Sequence, residues 1–170
     1  MNSPGITIVD VHLQPEKSSR YIEGKVQVNI ALKNNSNTLI YYVLKRPRDI
    51  DYDKSSRILS IGLYEKELPQ DIKISSRPIE PEQVAILPDT TFQWQYLISV
   101  WIKKIMRPSG LREMVEVLDI SDVQKVVCTV AYHTSPFRVT ASDEREEVPV
   151  ALSKWGETVS ASFERTLIKH

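Results

Sequence analysis

The chain has 170 residues, a formal net charge of zero, 41% apolar and 26% charged residues, and one cysteine. That length buries a core without disulfides or metals, the composition excludes general disorder, and balanced charge excludes a global field that would recruit nucleic acid or an anionic membrane. Within the apolar set, 17 Ile and 17 Val stand against 6 Ala, which favours pleated sheet over helix.

In chain order, residues 6–13 predict a strand with Val9, Val11 and Leu13 inward. Over 25–33, Val26, Val28, Ile30 and Leu32 alternate with Lys25, Gln27, Asn29 and Lys33, the pattern of a half-buried strand. Asn34 to Asn37 is a turn-tolerant cluster, and 38–44 is apolar on both faces, so the two segments predict a hairpin. Segment 45–57 is a charged loop with five cations and three carboxylates. Strands are expected at 58–65 and 83–87, the latter inside a turn-rich stretch marked by Pro78, Pro81 and Pro88. The clearest strand is 91–102, where Phe92, Trp94, Tyr96, Ile98, Val100 and Ile102 point inward and place Trp101 on the opposite face from Trp94. Leu111, Met114, Val115 and Leu118 fall at helical spacing after Pro108 and Ser109, predicting a short crossover helix over 110–118. Val126, Cys128, Val130 and Tyr132 share one face of a strand at 123–133. A long loop over 134–156 precedes a final strand at 157–167.

Short strands with long connections read as one β-sandwich domain over 1–170. The segments VQVNIALKNNSNTLIYYV, IEPEQVAILPDTTFQWQYLISV and VQKVVCTVAY carry a fold-level resemblance to the immunoglobulin-like class. The resemblance implies an all-β, antiparallel sandwich of about seven to nine strands. Cys128 has no cysteine partner in 25–33, and 38–44 holds no Trp, so the antibody-type hallmarks are missing.

Candidate chemistry is sparse. Asp49, Asp51 and Asp53 have the spacing of a calcium-loop opening, but the sixth and twelfth positions hold Lys54 and Ser60 instead of Gly and Glu. Cys128 sits among inward valines, the place of a structural thiol. His133, Ser135 and Asp143 are close in sequence, but Thr134 and Pro136 frame the serine unlike a nucleophile elbow. No phosphate loop, dinucleotide fingerprint or paired-cysteine metal motif is present, so no cofactor is expected. A lone cysteine fits a reducing compartment. Residues 1–14 lack a basic start and carry Asp10 in their apolar stretch, and no apolar run spans a membrane. A cytoplasmic protein that does not enter a membrane is the expectation.

What remains is a binding surface. Arg46, Arg48, Ile50 and Tyr52 alternate in the 45–57 segment, and Phe137 with Arg138 lies beside the acidic run 143–147. Arg, Tyr and aliphatics of this kind are enriched at contact hot spots. The expectation is a non-catalytic protein-binding or scaffold module. Small-ligand or carbohydrate binding is the alternative, with weak nucleic-acid binding behind it.

Overall fold

The structure is a computed structural model that describes residues 3–15, 24–64, 82–106, 114–136 and 156–165. These residues form β1 (Ile6–Pro15), β2 (Lys25–Asn34), β3 (Tyr41–Leu44), β4 (Asp49–Asp53), β5 (Ile58–Leu63), β6 (Gln83–Ile86), β7 (Thr91–Ser99), β8 (Trp101–Met106), β9 (Met114–Asp119), β10 (Lys125–His133) and β11 (Glu157–Glu164). The protein is all-β among the described residues, with eleven strands where seven to nine were expected.

The strands make three sheets. One is antiparallel, in the order β1-β2-β7. A second runs β4-β5-β10-β3-β6, with β11 on the other side of β10. The third is the two-stranded ribbon β8-β9. Inward residues of the first two sheets form one apolar cluster: Val28, Ile30 and Leu32 of β2 belong to it together with Leu59, Ile61 and Leu63 of β5 and Val126, Cys128 and Val130 of β10. Each of these side chains is 2% exposed or less, so the cluster is the main source of stability.

β10 departs from the antiparallel expectation. Its first six residues pair in parallel with Ile58–Leu63, and its end pairs antiparallel with Tyr42 and Val43. β5 and β3 therefore follow one another along a single edge of β10, while β11 takes the opposite edge in antiparallel register. The run Val-Val-Cys-Thr-Val-Ala-Tyr suits that central place, because a strand paired on both sides and packed on the core selects apolar side chains.

Other expectations are corrected. β2 and β3 do not form a hairpin, since β2 pairs β1 and β7 whereas β3 pairs β10 and β6. The chain crosses between sheets after Asn34, which is fully buried. Its Nδ2 donates to the carbonyls of Leu39 (2.6 Å) and Ile86 (2.9 Å), and its Oδ1 accepts from Ser36 N–H (2.8 Å). One amide thus satisfies a turn and ties the two sheets together. In β1 the inward set changes parity: Ile6 and Ile8 are buried, then Val11, and Val9 is 50% exposed. A bulge between Ile8 and Asp10 inserts the extra residue responsible.

The expected strand over 91–102 breaks at Val100. Val100 N–H donates to Gly24 O (2.7 Å), and its carbonyl accepts from Ile120 N–H (2.9 Å). Gly24 has φ +82°, and a Cβ there would lie 2.5 Å from the Trp101 ring. Trp94 is 8% exposed and Trp101 53%, the expected contrast, although the two lie on separate strands, β7 and β8. The helix over 110–118 is not formed where it is described: Met114–Asp119 is β9, paired with β8, and 107–113 lies outside the described residues. Val115 and Val117 are β-branched and pair across the ribbon with Ile105 and Lys103, an extended arrangement their side chains favour.

Candidate protein-binding site

The segment expected to be a loop at 45–57 contains β4, which turns back into β5. Its alternating side chains separate accordingly. Tyr52 is 1% exposed and belongs to the core, its hydroxyl donating to Asp122 Oδ1 at 2.5 Å. Burial and that carboxylate push its phenol up to about 12. Tyr52 is therefore not on the surface that a partner could touch. Arg46 is exposed and pairs with Glu82 at 3.3 Å, Arg48 is exposed, and Ile50 is half-buried against the core. Phe137 and Arg138 lie outside the described residues, as does Asp143.

The chemical candidates are committed elsewhere. Asp49 accepts from the Tyr64 hydroxyl (2.9 Å), and Asp51 pairs with Lys104 (3.1 Å). Asp53 accepts from Ser55 N–H and from the Ser55 and Ser56 hydroxyls, which hold its carboxyl down to about 2. These bonds close the turn between β4 and β5, and no group of metal-ligating side chains exists among the described residues. Cys128 is fully buried, and burial pushes its thiol up to about 12, so thiolate is scarce at neutral pH. His133 Nδ1 accepts from the backbone N–H of Ser135 at 2.9 Å, a local turn contact.

Arg46 and Ile50 meet at an open groove of about 760 Å³. Its other wall is β7, of which residues 94–99 all line it. A groove on one sheet face would touch alternate residues, so contact with six in a row marks the edge of the strand. Two bonds set the phase of that edge. Asn34 N–H donates to Thr90 O (3.0 Å) and Val100 N–H to Gly24 O (2.7 Å), at either end of an unbroken register with β2. Even-numbered residues of β7 therefore exchange bonds with β2. Thr91, Gln93, Gln95, Leu97 and Ser99 turn their N–H and C=O groups to the free edge, where β7 has no further strand neighbour among the described residues. At one end of the groove the Trp94 indole donates to Lys45 O (2.7 Å). At the other lies the root of the ribbon, Ile102 and Lys103.

The groove has a sign. Lys45, Arg46 and Lys103 line it, and among the described residues no carboxylate does. Lys45 and Lys103 are exposed and have no ion pair among the described residues. The two outer strands of this sheet also differ. β1 carries a bulge, Asp10 and His12 joined at 2.5 Å, and a terminal Pro15 without an N–H. Bulges, charges and proline are the ordinary means of blocking strand addition. β7 reads Thr-Phe-Gln-Trp-Gln-Tyr-Leu-Ile-Ser and has none of them.

A second surface is the ribbon. Trp101, Ile105, Val115 and Val117 are each more than half exposed and share one face of β8-β9. Beyond Leu118, which is buried at the root, the opposite face carries Lys104 and Glu116 as a cross-strand pair. Sequence reasoning missed Lys45 and Lys103 as groove residues and expected a helix over 110–118. The alternation of Lys103, Ile105, Val115 and Val117 was the available signal. No helix among the described residues is long and apolar enough to cross a membrane. The chain matches no protein-family model, no curated protein and no solved structure.

Proposed function

We propose that the chain is a non-catalytic protein-binding module on an immunoglobulin-like β-sandwich, and that it holds its partner at the groove along β7. The sandwich reading rests on the segments that resemble that class and on two sheets sharing one core. The binding reading rests on one observation: a nine-residue strand edge without charge, proline or bulge borders a groove whose charged lining, among the described residues, is cationic. Arg46 and Ile50 serve the contact from the far wall, and Tyr52 supports them from the core. The lone buried cysteine favours the cytoplasm as its compartment.

Position-specific photo-crosslinking in cells of the native host tests the location. A benzophenone side chain at Gln95, on the groove, should give a discrete protein adduct. The same group at Ser160, on exposed β11, should give none. Adducts from both positions, or from neither, contradict the reading. An adduct from Ile105 alone moves the contact to the ribbon.

A further inference from the structure

If the groove along β7 is the contact site, its backbone and its charge also define the chemistry of the occupant, an assignment that rests on the proposed binding function. We infer that the occupant is an extended peptide segment, acidic and apolar in alternation, that adds to β7 as a new strand. The backbone supplies the first requirement. Gln95, Leu97 and Ser99 offer outward N–H and C=O groups along the groove at the two-residue repeat that an added strand needs. The lined stretch of β7, residues 94–99, accepts about six residues of extended chain, roughly 20 Å.

Side chains supply the second requirement. Alternate residues of the incoming strand would face the interior, where Ile50 and Ile102 present partly covered apolar surface beside the buried Ile98. β-branched aliphatics fit there. The remaining residues lie beside Lys45, Arg46 and Lys103, so carboxylates are favoured and cations are rejected.

Charge also decides against a second copy of this chain as occupant. Pairing β7 with its own twin is open to the backbone, because the edge is neutral. It would bring two sets of lysines together with no carboxylate among the described lining residues to balance them. A partner strand that carries its own acids removes that repulsion.

Two capped peptides of about eight residues, enough to overlap the whole groove, test this. One alternates Glu with Val and Ile, and the other has Lys in place of Glu. Hydrogen exchange and titration by NMR should show the acidic peptide bound at least about tenfold tighter at low salt, as charge complementarity requires. The amides of Gln93, Gln95 and Leu97 should gain protection on binding. The double variant Lys45→Glu with Lys103→Glu changes two exposed side chains and should invert the preference. Equal affinity for the two peptides overturns the inference. So does protection that appears on the ribbon instead, absence of binding up to about 1 mM, the weak end of specific association, or a homodimer that protects the same amides without peptide. If the Gln95 crosslink still forms while both peptides fail, the protein-binding reading survives and only strand addition is lost.

Discussion

β1 and β7 are the two outer strands of one three-stranded sheet, flank the same central strand and bury side chains in the same core. They are treated in opposite ways. β1 is bent by a bulge, carries the charge of Asp10, and is closed by Pro15. β7 is regular over nine residues, and its outer edge has no strand partner among the described residues. Stability alone would not separate them, because an unpaired edge in water costs little. Association separates them, since a flat uncharged edge invites another strand. On the proposed reading, one side of the sheet is kept from pairing and the other is kept available for it.

The strand between them should matter most. Leu32→Ala empties a fully buried site in β2 and should cost about 4 kcal/mol in a urea melt. Because β2 carries both edges, amides of β1 and β7 should lose protection together. Independent loss would mean that the edges are not held by one strand.

Proline then separates the two sides of β7. Tyr96→Pro removes an N–H that bonds to β2 and should cost about 3 kcal/mol or more. Gln95→Pro removes one that faces the free edge and should cost about 1 kcal/mol, as proline does on edge strands. The second variant should nonetheless abolish binding of the acidic peptide. Equal destabilisation by the two would put the phase of the edge in error.

Asn34 comes next. Asn34→Ala leaves the carbonyls of Leu39 and Ile86 without their shared donor and should cost about 2 kcal/mol. The loss should loosen the crossing between sheets more than either edge, a distinction readable by exchange at Ile86 against Val11. Smallest is the ribbon. Ile105→Thr and Val115→Thr, at residues 59% and 57% exposed, should each stay within about 0.5 kcal/mol of the parent. A larger cost would mean that the ribbon's apolar face is covered in solution.

Much of the β content was legible because half-burial writes itself as alternation. Val28, Ile30 and Leu32 announce their face, as do Trp94 with Ile98 and Val126 with Cys128 and Val130. What escaped depends on contacts between segments. The bulge in β1 moves Val9 to the surface, and nothing in residues 6–13 marks it. β4 was hidden because Asp49, Asp51 and Asp53 made a charged loop of what is a strand burying Tyr52. The stripe at Met114, Val115 and Leu118 has helical spacing, yet Val115 and Val117 find partners on β8 that only tertiary structure reveals. Of the expected contact residues, Arg46 and Ile50 reach the groove and Tyr52 does not. Lys103 could not be placed with them, because it lies more than fifty residues further along the chain.

Native-state hydrogen exchange along β7 in the free protein tests the open edge most directly. The amides of Trp94, Tyr96 and Ile98 bond to β2 and should be strongly protected, while those of Gln93, Gln95 and Leu97 face the free edge and should exchange close to the rate of exposed backbone. An alternation of fast and slow amides from residue to residue is the predicted result. Uniform protection of all six would show that something already covers β7 in the free protein, and would contradict an edge held available for a partner.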